Sequence, residues 1–216
     1  GRYALLSNQT GQYNTAVGAN VLDAATGDQN TAVGYVAGGA VTSGVSNTLL
    51  GYASGDAITE GNYNVSVGGT ALTSDTLGSR SVSVGYATLT LQNLTTATDT
   101  YNIAVGYGAG NNVTTGIQNT LVGGLASDAL TTGSFNSAFG YNALGAETAG
   151  TRTVAMGSFA LSAQNVGGGA TTYNTAVGHI AGFAVTTGVQ NTLIGGAAGD
   201  ALTDADYNVA VGTSSL

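Results

Sequence analysis

The 216-residue sequence contains no cysteine, no proline and no lysine. Without cysteine there is neither a disulfide framework nor a thiolate metal site, and the redox compartment cannot be read. Three arginines against eleven acidic residues leave a formal net charge of −8. That excludes the dense cationic surface a phosphate backbone requires, so nucleic acid is not an expected partner. No apolar run approaches the length that crosses a bilayer, and no charged segment followed by an apolar core marks a signal peptide. Membrane insertion is not expected.

What is abundant is glycine, at 36 of 216 residues. In a polar chain that would indicate disorder, yet 43% of residues are hydrophobic, and Val, Ile, Leu and Ala are spread along the whole length. There is apolar material to bury everywhere.

The glycine that closes an N-x-x-x-G core recurs at 18, 34, 51, 68, 85, 106, 123, 140, 157, 178, 195 and 212. The intervals are 16, 17, 17, 17, 21, 17, 17, 17, 21, 17 and 17, so a short unit is nested in a 72-residue period of three 17s and one 21. Asn30 and Gly34, Asn102 and Gly106, and Asn174 and Gly178 mark the same point of successive periods. Repeats this short indicate a single solenoid domain over 1–216, read as a segment of a longer fibre. Each core, such as "NTAVG" (14–18) or "NTLIG" (191–195), is short and rich in β-branched residues, and reads as one strand per coil. Its bounding Gly and Asn suit a left-handed corner. The fold class is all-β, a parallel β-solenoid or β-roll of twelve coils. At roughly 4.8 Å per stacked strand, four coils advance on the order of 19 Å and twelve about 55 Å, a rod.

The residue before each closing glycine is large and apolar, from Val17, Val33 and Leu50 to Phe139, Met156 and Ile194, and is expected to form the inner column. The residue before that (Ala16, Ala32, Leu49, Ser66 and equivalents) then faces the other way, onto a sister chain. A second apolar position alternates. Val41, Ile58, Val113, Leu130, Val185 and Leu202 lie seven residues after the glycine, whereas Leu72, Leu89, Leu144 and Leu161 lie four after it. Two coil shapes alternating in pairs account for the four-coil period. The Asn opening each core is expected to stack as a ladder bonding coil to coil, with Ser81 and Thr153 as its two replacements, each after an arginine.

The words "YNTAVG" (13–18 and 173–178), "FGYNAL" (139–144) and the connector "TTG" (186–188) resemble the shaft repeats of phage tail fibres. The core is also similar to the "SVAIG" repeat in heads of trimeric autotransporter adhesins, which are left-handed parallel β-rolls. The resemblance covers nearly the whole chain and implies a homotrimeric, extracellular or virion-borne fibre that supports host attachment.

The in-phase four-residue insertions around 91–102 and 161–174 are the candidate recognition loops, carrying Asn93, Thr95, Thr98, Tyr101, Asn165, Thr171 and Tyr173. A host-surface glycan or protein receptor is the partner they suit. His179 replaces Tyr35 and Tyr107 of earlier copies, so it reads as a substitution at an outward corner rather than a catalytic base. Asp56, Asp128 and Asp200 recur once per period, too far apart to share an ion, and read as turn caps. The column Thr15, Thr31, Thr48, Thr120, Thr175, Thr192 suggests ice binding, but Val65, Val82, Ile103, Val154 and Val209 interrupt it and it is expected to face inward. Tyrosines at coil corners are candidates for sugar contact, against the plainer role of covering the core edge. "VGGGA" (166–170) lacks the Lys-Ser/Thr of a phosphate loop. No catalytic set, metal site or cofactor is expected. Besides the fibre, the sequence leaves open an ice-binding solenoid, a filament of stacked coils, and a polysaccharide-cleaving enzyme whose only close acid pair is Asp204 and Asp206.

Overall fold

A computed structural model describes residues 1–216 and contains strands, turns and no helix. The chain is a parallel β-solenoid whose coils fall into two compact units, Gly1–Val105 and Gly106–Leu216. In the first, the coil strands are β1 (Thr15–Ala19), β2 (Thr31–Tyr35), β3 (Thr48–Leu50), β4 (Val65–Val67), β6 (Val82–Val84) and β8 (Ile103–Val105). Between them, β5 (Gly78–Ser79) and β7 (Thr98–Asp99) form a separate parallel pair. The second unit holds β9 (Thr120–Val122), β10 (Ser137–Phe139), β11 (Val154–Met156), β12 (Thr175–Val177), β13 (Thr192–Ile194) and β14 (Val209–Val211). Within each unit every coil strand pairs in parallel with the next, equivalent positions opposite one another: Ala32 with Leu49, Leu49 with Ser66, Ala138 with Ala155.

The strands are only two to five residues long, so most backbone groups must find partners outside them. They do so by alternating conformation. At three points per coil a non-glycine residue commonly takes a left-handed φ, as at Ala53 (49°), Leu72 (53°) and Tyr63 (58°). This turns successive N–H groups alternately to the coil before and the coil after. Ala53 N–H bonds Tyr35 O at 2.9 Å, while Gly55 N–H bonds Ala71 O at 2.9 Å. The left-handed residue at the strand entrance is the one before the Asn (Gln29, Ser46, Tyr63), or before Ser81 in the case of Arg80, not the expected Asn itself.

The closing glycines allow the coils to stack. Gly51 has φ +140°, and a Cβ there would lie 2.4 Å from the carbonyl oxygen of Gly68 in the next coil. Only a residue without a side chain fits this approach.

The expected direction of the strand faces is reversed. Ala32, Leu49, Ser66, Ser83, Leu121 and Ala138 are fully buried, whereas Val17, Val33, Phe139, Met156 and Ile194 are exposed at 36–55%. The closed interior of a coil is narrow, so its strand contributes one small side chain or a Leu. The bulkier column lies outside, where nothing limits its size.

The alternation of coil shapes is a matter of filling that interior. Where the strand supplies Leu49, the residue four after the closing glycine is Gly55, because a Cβ there would sit 2.7 Å from Leu49 Cδ2 and 2.9 Å from Ile58 Cδ1. Where the strand supplies Ser66 or Ser83, Leu72 or Leu89 fills the slot, and the position seven after the glycine becomes polar, Asp75 or Gln92. In the second unit Leu144 and Leu161 fill the slot beside Ala138 and Ala155, and the position seven after the glycine is again polar, Glu147 or Gln164.

Candidate functional site

The Asn ladder exists, and it runs from side chain to the next coil's backbone. Asn47 Nδ2 donates to Gly61 O at 2.9 Å, and Asn47 Oδ1 accepts the Asn64 N–H at 2.9 Å. Asn136 does the same with Gly150 O at 2.9 Å and Thr153 N–H at 3.0 Å. All of these Asn side chains are buried.

At Ser81 and Thr153 the ladder changes hands. The shorter side chain leaves room for a glutamine from the same coil. Gln92 Nε2 donates to Ser81 Oγ at 2.9 Å and also to the Asp75 carboxylate, while its Oε1 accepts from Asn102 Nδ2 at 2.8 Å. One period later Gln164 Nε2 donates to Thr153 Oγ1 (3.1 Å) and Glu147 Oε2 (3.0 Å), and its Oε1 accepts from Asn174 Nδ2 at 2.8 Å. Each glutamine thus relays the ladder across the long coil. The sequence shows the two replacements and their phase; the glutamine relay and its buried acids are marked in it only by the 72-residue spacing of Asp75/Glu147 and Gln92/Gln164.

The two acids have no cation beside them. Asp75 Oδ1 accepts the Gly78 N–H at 3.0 Å, and burial pushes its carboxyl up from the ordinary value of 3.8. Glu147 Oε1 accepts three consecutive backbone N–H groups, from Thr148, Ala149 and Gly150, at 2.7–3.2 Å.

These networks anchor the insertions. Thr100 is buried, its hydroxyl 2.6 Å from Ser81 Oγ, and Thr172 stands in the same relation to Thr153 Oγ1. Strand β7 of the first insertion pairs with β5, and Thr151 bridges Thr171 in the second. The predicted recognition residues separate by exposure. Asn93, Thr95, Tyr101, Asn165 and Tyr173 are exposed; Thr98 and Thr171 are half-buried. Asn93 and Asn165 are tied down, their Oδ1 atoms accepting from Thr76 (3.1 Å) and Thr148 (3.0 Å). Asn93, Thr95, Thr98 and Tyr101 stand on the first unit; Asn165, Thr171 and Tyr173 on the second.

Arg80 and Arg152 sit one residue before Ser81 and Thr153, beside these loops. The Arg80 guanidinium lies between Tyr63 (5.1 Å) and Tyr101 (5.9 Å) and forms an ion pair with Asp99. Arg152 lies 4.9 Å from the Phe135 ring, with Nη1 3.3 Å from Thr171 Oγ1.

Other predicted positions are simpler. His179 is exposed at a corner, Nδ1 3.1 Å from Ser158 O. Asp56 and Asp128 are partly buried, and desolvation raises both carboxyls. Tyr35 stacks on Tyr52 at 5.8 Å and 11°, both half-exposed. The Thr15 column points outward with Val17, the reverse of the expected direction. A different threonine column, at the "TTG" corner, was missed. Thr26, Thr42 and Thr59 each donate to the carbonyl of the next coil's Thr at 3.0–3.1 Å.

No group of three or more metal-ligating side chains gathers, and no pocket is present. Fold and surface define a class: a parallel β-solenoid with two in-phase lateral insertions and an apolar outer strand face. No protein-family model, curated protein or solved structure matches the chain.

Proposed function

We propose that the chain is a shaft or head segment of an extracellular fibre, of the phage tail-fibre or surface-adhesin kind, assembled as a homotrimer and supporting host attachment. Its work is mechanical and adhesive rather than enzymatic, with no cofactor, and its setting is a virion tail or a cell surface.

The observation that supports this is the outer strand face. In every coil it carries two residues such as Thr31 and Val33, Val82 and Val84, or Val154 and Met156, with no charge among them. Several are more than one-third exposed, among them Ile103, Phe139 and Ile194. Covering this face with sister chains removes apolar area from water at roughly 25 cal/mol per Å². A 17-residue coil, whose own core is thin, gains from that second burial.

Sedimentation mass tests the reading. Three chains of 21.0 kDa, 3 × 21.0, give about 63 kDa. A single-chain mass overturns the trimer.

One observation favours a second reading. Thr15, Thr31 and Thr48 stand opposite one another on the outer strand face, as do Thr175 and Thr192, with Thr120 on the same face of the second unit. An ice-binding solenoid would be a monomer showing thermal hysteresis. Val65, Val82, Ile103 and Val154 interrupt the threonines on the same face, which is why the fibre is preferred.

A further inference from the structure

The chain has three arginines and no lysine, and two of those arginines, Arg80 and Arg152, occupy the same point of successive 72-residue periods. Both stand in a column of left-handed corner residues with an aromatic on the coil before and the coil after: Tyr63 and Tyr101 around Arg80, Phe135 and Tyr173 around Arg152. The column is fixed by backbone bonds, Phe135 N–H to Ile117 O at 3.1 Å and Arg152 N–H to Ser134 O at 3.2 Å. Phe135, Arg152 and Tyr173 are all exposed.

The two copies differ at one decisive residue. Asp99 neutralises Arg80, and 72 positions later stands Thr171, an uncharged hydroxyl. No carboxylate pairs with Arg152, since the one ion pair in the structure is Arg80–Asp99. Arg152 is therefore an exposed cation held against a ring, with a hydrogen bond to the Thr171 hydroxyl and no carboxylate beside it, on a protein of net charge −8.

We propose that the Phe135–Arg152–Tyr173 ledge binds a carboxylated sugar of a surface polysaccharide, whereas its Tyr63–Arg80–Tyr101 counterpart is closed by Asp99. The guanidinium fork matches a carboxylate bidentately, and the Thr171 hydroxyl adds a hydrogen bond. The Tyr173 ring supplies an apolar face for the C–H side of a pyranose. With neighbouring coils roughly 4.8 Å apart, the three residues form a strip about 10 Å long, enough for a short run of sugar units.

The inference rests on the fibre reading for its biological setting, but its chemistry is measured separately. The full chain is titrated calorimetrically with a tetramer of galacturonic acid and with a neutral galactose tetramer. One acidic tetramer per chain is expected to bind, and the neutral one more weakly by about tenfold or more, the loss of one charge-assisted contact. Thr171→Asp imports the native arrangement of the first copy, so it should fold as the parent and lose acidic-tetramer binding to the same extent. Asp99→Thr should open the first ledge and raise the stoichiometry from one to two, with melting temperature confirming the fold of both variants. No saturable binding by the parent chain, equal affinity for the two tetramers, or unchanged binding by the folded Thr171→Asp variant overturns the proposal. The solution mass is read independently, so a monomer that binds the acidic tetramer sinks the trimer alone.

Discussion

At the scale of single residues, the tightest constraints are steric and electrostatic, and they sit in different places. The closing glycines admit no Cβ: Gly51→Ala would put a methyl 2.4 Å from Gly68 O at a φ of +140°. A backbone that unfavourable for an L-residue costs on the order of 1–3 kcal/mol before any clash, so Gly51→Ala should unfold at clearly lower urea than the parent. Asp75 is the electrostatic counterpart. Its folded-state carboxyl is raised above the unfolded value of 3.8 by burial, so in the window just above that value the folded chain holds a proton that the unfolded chain has released. Folding therefore tightens as pH falls from neutral through the folded-state value towards 3.8. Asp56 and Asp128 contribute in the same direction. Asp75→Asn, neutral throughout, should show a smaller gain between pH 7 and pH 4.5 in urea titrations. An unchanged gain would assign the effect to other groups.

At the scale of the element, a coil is held less by its short strand than by the ladder at the strand's entrance. Asn47 satisfies one carbonyl and one N–H of the following coil with a buried side chain. Asn47→Ala strands both, and each buried unsatisfied group costs about 1–3 kcal/mol. The loss should exceed that of Asn14→Ala, whose side chain is only part-buried. Equal losses at the two sites would show that burial is not what gives the ladder its strength. The coil-shape alternation belongs to this scale too, and the sequence displayed it: apolar residues at +7 in one pair of coils and at +4 in the other. What it hid was that Gly55 and Leu72 are alternative fillings of one interior slot, Gly55 leaving it to Leu49 and Ile58, whose side chains a Cβ there would meet at 2.7 and 2.9 Å.

At the scale of the whole molecule, the outer strand face carries the proposal of self-association. Val84 lies on that face in the first unit, partly exposed, with Val67 and Val105 in register on either side. A charge there is tolerated by a lone chain, because the side chain touches solvent, and is not tolerated where that face is buried against a sister chain. Val84→Glu is expected to lower the sedimentation mass from three chains to one while leaving the circular dichroism of the β-structure unchanged. A trimer that survives the substitution would place the contact on another face.

The linear pattern by itself determined the parallel solenoid, the coil boundaries, the four-coil period, the Asn ladder and the position of the insertions. All of these follow from residues that recur at fixed intervals, and stacking turns a fixed interval into a column. It did not determine which side of a strand is inside. Val33 and Ala32 are both apolar, and alternation says only that they part company. The closed cross-section of the coil decides, admitting Ala32 and leaving Val33 in solvent. Tertiary structure likewise decided that Gln92 and Gln164 complete the ladder where Ser81 and Thr153 interrupt it. Those bonds join residues eleven positions apart, which meet only because the chain has turned back across the coil.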